Sequence, residues 1–332
     1  MGKRDNTEIE KSKGRAAARK RVHERRKKRR IERRLLRQEK QNLKANELDA
    51  GLQRAVEEKD KEIQRQKVEI EALKLQLQKE KEFRKKSMQL PSIRPWDLTV
   101  SPQEIGKGSY GTVLIANFGT MAVVVKNIDR SVTTLKMAQT EAHFLHNLRH
   151  PNLPLLIGVD FDAVSNYKIV MPLYSVNGSP VNLLDAMSKR LVKIGVRNTW
   201  LDVLIQITKA IDYIHKAGVL HNDLKSNNVV LHQNDDSKLK AVVIDFGKAS
   251  FIADGYVSSQ CSNKRHIAPE PEKSTASDIY SLGCIIKDAF GLVKVLGQIP
   301  LLQDVYRKCR EVSPIKRPTA TSVFKSLRSC LI

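Results

Sequence analysis

Two stretches carry residue types that can do chemistry together: Val219-Leu220-His221-Asn222-Asp223-Leu224-Lys225-Ser226-Asn227-Asn228 and, further on, Val243-Ile244-Asp245-Phe246-Gly247. Phosphoryl transfer needs a carboxylate to orient the attacking hydroxyl, a cation beside the phosphate, and carbonyl or carboxylate oxygens to hold magnesium. Asp223, Lys225, Asn228 and Asp245 supply that set. Taken singly, an Asp, Asn or Lys in a loop is a turn former or a surface charge. The reading therefore depends on what the rest of the chain places around these four.

A phosphate donor must also be held. Ile105-Gly106-Lys107-Gly108-Ser109-Tyr110-Gly111-Thr112-Val113 has the form G-x-G-x-x-G-x-V, in which glycines let the backbone fold close over phosphates and present its N–H groups. A dinucleotide-binding turn uses the same glycines but opens a helix. Here Thr112-Val113-Leu114-Ile115 reads as a strand, so the spacing predicts a hairpin over the nucleotide. Val123-Val124-Val125-Lys126 follows as a second strand ending in a single Lys. After Thr140 apolar residues recur at helical spacing through Leu148, which places Glu141 on a helix. On its own Glu141 reads as a solvated helix charge.

With these segments in this order, residues 96–332 resemble a eukaryotic-type protein kinase domain of the tyrosine-kinase-like or Ser/Thr group. The resemblance implies an α+β, bilobal fold, with a strand-rich small lobe at 96–174 and a helical large lobe at 175–332, and it implies ATP and Mg²⁺ as cofactors and proteins as substrates. Asp223 becomes the catalytic base and Lys225 the cation against the γ-phosphate; Asn228 and Asp245 become the Mg²⁺ ligands. Lys126 would hold the α- and β-phosphates, oriented by Glu141, which stands nine residues before His150-Pro151-Asn152 as in kinases.

The same resemblance assigns the nucleotide's surroundings. Ile105, Gly106, Gly108, Tyr110, Gly111 and Val113 cover it from the glycine-rich hairpin. Val124 stands where the family usually has Ala and narrows the adenine slot, with Val230 also in contact. Tyr167 to Met171 would be the last small-lobe strand, with Met171 the gatekeeper and Pro172, Leu173 and Tyr174 the hinge. Proline costs nothing at 172, because that position offers an acceptor and not a donor. Ala268-Pro269-Glu270 would close the activation segment with Arg317 as the partner of Glu270, and Asp278 would brace the catalytic-loop backbone.

The chain departs from the family at Asn222, where many kinases carry an Arg that pairs with a phosphorylated activation loop. Asn cannot neutralise a phosphate dianion. Phosphorylation at Ser250, Tyr256, Ser258, Ser259 or Ser262 is therefore not expected to be an obligatory on-switch. Lys225 in the Asp-Leu-Lys-x-x-Asn form points to Ser/Thr acceptors. Asn263 in place of the usual Thr, a basic residue within Asn263-Lys264-Arg265-His266-Ile267, Trp96 at the start and the short Phe118-Gly119-Thr120 turn look more like the tyrosine-kinase side, so a tyrosine or dual-specificity kinase stays open. A pseudokinase scaffold is the rival outside the enzymes, although every residue of the catalytic set is present.

The elements ahead of this domain are of another texture. The 332-residue chain has a formal net charge of +23, and 31 of its 59 Lys/Arg but only 16 of its 36 Asp/Glu precede Trp96. Residues 1–45 include a tract from Lys11 to Lys40 with 16 Lys/Arg and 3 Asp/Glu, expected to be disordered or a lone solvated helix. Such a tract binds nucleic acid or an anionic surface through counterion release, serves as a nuclear localisation signal around Arg21 to Arg30, or is a solvated charge run. It has no aromatic stacking platform for sequence-specific RNA recognition.

In residues 46–90, Val56, Ile63, Ile70 and Leu77 recur every seven residues, with Leu73 and Leu75 between them. That is a short heptad seam. Lys59, Gln66 and Glu80 fall on complementary core positions, so a charged single helix and a weak self-associating coiled coil both fit, before Pro91 and Pro95 end the pattern. Four cysteines without CxxC spacing read as a reduced intracellular thiol set. No apolar run approaches the ~20 residues needed to cross a bilayer, and the N-terminus is too charged for a secretory signal. Asn6 stands where a myristoylation motif wants Ser or Thr. A soluble protein of the cytoplasm, the nucleus or both is expected.

Overall fold

The computed structural model describes residues 90–108, 110–162, 166–191, 197–233, 238–255 and 264–331, and ahead of them 51–72 together with 24, 27, 30, 32–41, 43–44, 74–75 and 78. The chain divides into two compact units, Met1–Leu73 and Lys74–Ile332. In the first, residues 51–72 form helix α1, built largely from Glu, Lys, Gln, Arg, Ala and Leu, the strong helix formers. Leu73 and Leu77 of the expected seam, and most of the basic tract, lie outside the described residues.

The second unit opens with a five-stranded antiparallel sheet in the order β1-β2-β3-β5-β4. Its strands are β1 (Leu98–Gly108), β2 (Gly111–Phe118), β3 (Met121–Asp129), β4 (Gly158–Asp160) and β5 (Asn166–Pro172). Side chains alternate across a strand, and β3 uses this fully. Val123 and Val125 are buried on one face with Ile93, Leu98, Ala116 and Val170, which turns Val124 and Lys126 to the other. At Gly111 the backbone has φ +151°, and a Cβ there would stand 1.9 Å from the Asn127 carbonyl oxygen. Only glycine lets β2 begin so close to β3.

Two features of this lobe are not visible as sequence patterns. Strand β4 is three residues long, and its outer edge is covered by the segment ahead of Trp96: the Ile93 N–H donates to the Val159 carbonyl and the Val159 N–H to the Pro91 carbonyl, each at 2.8 Å. Covering an edge in this way removes a template for pairing with another chain. Helix α2 (Leu135–Asn147) starts five residues before the apolar periodicity because Thr134 caps it, accepting the Met137 N–H at 3.3 Å.

The rest is mainly helical: α3 (Leu183–Ser188), α4 (Arg197–Lys216), α5 (Thr275–Leu292), α6 (Lys294–Gly297), α7 (Pro300–Cys309) and α8 (Ala320–Arg328). Strands β6 (Val181–Asn182), β8 (Val229–Gln233) and β9 (Leu239–Val243) form one small sheet, and β7 (Val219–Leu220) pairs with β10 (Ser250–Phe251) in another. Helices α4 and α5 carry the core, with Leu204, Ile207, Ile211 and Ile214 on the first and Leu282, Ile285 and Ile286 on the second almost wholly buried. Ser274 and Ser277 close a capping box at the start of α5. The result is the α+β, bilobal architecture, a strand-rich lobe followed by a helical one.

Candidate active site

A cleft of about 800 Å³ gathers side chains from both lobes. Its roof is the β1–β2 hairpin with Ile105, Gly106, Gly108, Tyr110, Gly111 and Val113; its back is β3 and β5 with Val124, Lys126 and Met171. Pro172 and Tyr174 line the connection between the lobes, and Val230 lies below. Asp223, Lys225, Asn228 and Asp245 complete the floor with Glu141 behind. Every residue singled out from the sequence as a site candidate therefore meets in one place.

Lys126 is the pivot of the upper half. Its Nζ donates to Glu141 Oε1 at 2.6 Å and to Asp245 Oδ1 at 2.8 Å. Glu141 is a buried side chain of α2 and not a solvated helix charge. Burial works against the Lys126 ammonium, but Glu141 and then Asp245 outweigh it and hold the group charged well above the ordinary lysine range. Burial likewise opposes the Asp245 carboxylate, and Lys126 keeps it below its usual value. Asp245 has φ +69°, a left-handed conformation that Asp adopts more readily than most residues. Phe246 next to it is buried against the His221 ring, centroids 5.1 Å apart, which anchors the turn.

The lower half is set by the β8–β9 hairpin. Val229 pairs with Val243, and the Ile244 N–H donates to the Asn228 carbonyl at 2.9 Å, so the residues flanking the hairpin, Asn228 and Asp245, are held side by side. The Asn228 Nδ2 is spent on the Asp223 carbonyl at 2.9 Å, which leaves the amide oxygen as the atom suited to a cation. Asp223 is buried, and its carboxylate is surrounded by donors: Lys225 Nζ at 2.9 Å on Oδ2, and Lys248 Nζ at 3.1 Å with His266 Nε2 at 3.2 Å on Oδ1. Burial alone would raise its pKa, but His266, Lys225 and Lys248 hold the carboxyl far below the usual range. It stays ionised.

Two of these contacts, from Lys248 and His266, had no counterpart in the sequence reading. Each joins positions far apart in the chain that share no motif. His266 is fixed through its carbonyl, which accepts from Ser281 Oγ at 2.6 Å, while its neighbour Arg265 pairs with Asp288 of α5. Asp288 also accepts from Ser226 Oγ at 2.7 Å, so one α5 carboxylate ties the catalytic loop to the returning segment. The Ala268-Pro269-Glu270 turn is anchored as expected: Arg317 donates to both Glu270 oxygens at 2.6 and 2.9 Å.

Asn222 sits at φ +63°. Its Nδ2 donates to the Lys248 carbonyl at 3.0 Å and to Ser250 Oγ at 2.9 Å. The side chain that replaces the family's Arg thus spans directly to the start of the segment after Asp245. Tyr256, Ser258, Ser259, Ser262 and Asn263 lie outside the described residues.

Among the described residues no group of three or more His, Cys, Asp or Glu could hold a metal ion. Asn228 and Asp245 both line the cleft, and magnesium in general keeps waters and takes one or two protein ligands plus substrate phosphates.

The family model for the protein kinase domain matches residues 100–297. The chain belongs to the protein kinase domain family. Among curated relatives it is similar to the probable CTD kinase subunit alpha homolog of Encephalitozoon cuniculi, 28% identical over 211 residues, covering 60% of this chain and 59% of the relative. It is also similar to the serine/threonine-protein kinase Nek3 of Mus musculus, 30% identical over 250 residues (66% of this chain, 47% of the relative). The tyrosine-protein kinase csk-1 of Caenorhabditis elegans is 31% identical over 212 residues (61% and 37%). The chain spans between 59% and 30% of the length of the first relatives it matches. Among the described residues no helix is long and apolar enough to cross a membrane.

Proposed function

We propose that this chain is an ATP-dependent protein kinase that transfers the γ-phosphate of Mg-ATP to Ser or Thr hydroxyls of protein substrates. The observation that carries the reading is the Asp223 carboxylate, held ionised with the Lys225 ammonium 2.9 Å away, in the same cleft as the Lys126 pair with Glu141 and Asp245. In this reading Asp223 orients the acceptor hydroxyl and takes its proton as the oxygen bonds to the γ-phosphorus, and ADP leaves with the electron pair of the broken P–O bond. Lys126 and Lys225 hold phosphate oxygens. Asn228 and Asp245 would hold magnesium, which supplies neutralisation of phosphate charge.

Ser/Thr specificity rests on Lys225 beside the base. Of the basic residues that argue for a tyrosine acceptor, Arg265 pairs with Asp288 but lines the cleft together with Lys264, so the acceptor assay decides between the two specificities. The test is magnesium-dependent transfer from labelled ATP to a peptide array scored for Ser, Thr and Tyr acceptors, repeated with Asp223→Ala and Asp245→Ala. Label on Ser and Thr peptides, lost in both variants, is expected. Label on tyrosine alone overturns the specificity. If wild type and variants are equally silent while ATP still binds, the chain is a scaffold and not an enzyme.

A further inference from the structure

Helix α1 carries five large apolar side chains that the first unit leaves uncovered: Leu52, Val56, Ile63 and Ile70 are 58%, 55%, 46% and 50% exposed, and Val68, on the opposite face, is 71% exposed. Val56, Ile63 and Ile70 occupy successive a positions of a heptad, with Leu52, Lys59 and Gln66 at d. At i, i+4 and i, i+7 spacings such residues form one stripe along a helix. The stripe alone says nothing about its occupant. The flanking charges do.

Glu62 and Glu69 fall on g positions, and Lys67 and Lys74 on e positions. In a parallel pair of identical helices, each g residue faces the following e residue of the partner, so Glu62 meets Lys67 and Glu69 meets Lys74, twice each by symmetry. In an antiparallel pair g faces g and e faces e, which sets Glu62 against Glu69 on one edge while Asp60, also at e, meets a lysine on the other, so the antiparallel pair gains less than the parallel one. The contacts Glu62 makes within its own helix, with Gln66 at 3.2 Å and Arg65 at 3.8 Å, are exposed. Such contacts contribute little and are readily exchanged. β-branched residues at a favour two strands where d is Leu, a combination this seam has at Leu52.

We infer that α1 pairs with α1 of a second copy of this chain in a parallel, in-register two-stranded coiled coil, with Glu62–Lys67 and Glu69–Lys74 pairs across the seam. Lys59 and Gln66 put two polar layers at d, which fix register and cost stability. The association is therefore weak and reversible, in the ~micromolar range. Its consequence is that two kinase domains share one tether, raising the local concentration of each for the other. The inference does not depend on the phosphotransfer reading.

The test uses the full chain at physiological salt, where a Debye length of ~8 Å screens the two basic tracts from each other. Sedimentation equilibrium should show a concentration-dependent dimer in the wild type and a monomer in the Ile63→Glu, Ile70→Glu double variant. Glu62→Lys with Glu69→Lys, and separately Lys67→Glu with Lys74→Glu, should each weaken the homodimer about tenfold or more, and an equimolar mixture of the two should recover it. Gln66→Cys should form a disulfide-linked dimer that the wild type does not, since only a parallel, in-register pair brings position 66 onto itself. A wild type that stays monomeric overturns the inference, as does a dimer that persists in Ile63→Glu, Ile70→Glu. A double variant that changes the phosphorylation rate at constant monomeric mass would instead assign the stripe to the chain's own kinase domain.

Discussion

Asp278 carries the backbone of Asn222: its Oδ1 accepts the Asn222 N–H at 3.0 Å while its Oδ2 accepts the His221 N–H at 2.8 Å. One buried carboxylate at the start of α5 thereby fixes the two residues ahead of Asp223, including the left-handed backbone at Asn222. The His215 Nε2 lies 3.0 Å from the same Oδ2. Burial opposes the charged form of Asp278, but the hydrogen bond and charge of His215, with His221 behind them, hold the carboxyl below its ordinary range.

Asp278→Ala should therefore destabilise the second unit by about 3–5 kcal/mol, because it strands two buried N–H groups and an imidazole. Asp278→Asn isolates the charge. A depressed folded pKa contributes stability that is fully present above the unfolded value of about 3.9 and is lost as pH falls through the folded value. The melting-temperature gap between wild type and Asp278→Asn should be widest near neutrality and close below about pH 4. A gap that does not change from pH 7 to pH 3 would contradict this.

Arg317 has no exposed side-chain surface and grips Glu270 with both terminal nitrogens, while also donating to the Ala276 carbonyl at 3.0 Å and the Val312 carbonyl at 3.2 Å. Removing one partner of such a pair costs about 3–5 kcal/mol. Arg317→Ala should show that loss in denaturant melts, and Arg317→Lys should recover little of it, since an ammonium cannot make the planar two-oxygen grip. Recovery to near wild-type stability in Arg317→Lys would show that charge alone suffices.

The elements that were legible in the sequence are those whose chemistry is local. Lys126 closes a valine-rich strand, Asp223 and Asn228 share one loop, and Asp245 follows a hairpin. Glu141 was half legible: its helix showed in the periodicity, but whether it faced solvent or Lys126 depended on a strand 15 residues back. Strand β4 is too short for a two-residue period to register, and the start of α2 was hidden because its first turn is capped by Thr134 and not marked by apolar spacing. His266 and Lys248 were invisible for a deeper reason. Each reaches Asp223 only because α5 and the segment after Asp245 fold back across the loop, and no sequence period reports that approach.

The Asn222–Ser250 contact replaces a charge-dependent link with a neutral one. Asn222 Nδ2 already reaches Ser250 Oγ and the Lys248 carbonyl, so the start of the activation segment is tied to the catalytic loop without a phosphate. Neither side chain offers a cation for a dianion. Phosphatase treatment of the purified protein should leave its phosphorylation rate nearly unchanged, and a loss of tenfold or more would mean that a phosphate on the segment does what this contact is assigned here. The same logic predicts that Asn222→Ala lowers the rate more than Ser250→Ala does, because the serine change leaves the Lys248 carbonyl as an acceptor.

His266 offers the sharpest test of how Asp223, the proposed base, is positioned. Its Nε2 and the Lys248 ammonium share Asp223 Oδ1, while Lys225 takes Oδ2. With these three donors and Asn228 Nδ2 at 3.4 Å on Oδ2, the carboxylate is ionised at any physiological pH, and its orientation, more than its protonation, is what a mutation can disturb. His266→Ala removes one of the two donors on Oδ1 and should lower kcat about tenfold, near the ~1.5 kcal/mol of a hydrogen bond to a charged group, with the KM for ATP unchanged. His266→Gln, which keeps an N–H on a side chain of similar reach, should recover most of that loss. Asp223→Ala, which removes the base itself, should cost a further ten- to thousandfold beyond His266→Ala, a total of ~10²–10⁴. If His266→Ala turns over as fast as the wild type, the acceptor hydroxyl displaces the imidazole during catalysis and His266 plays no positioning part. If His266→Gln is as slow as His266→Ala while its melting temperature matches the wild type, the imidazole's shape and not its N–H bond is what Asp223 requires.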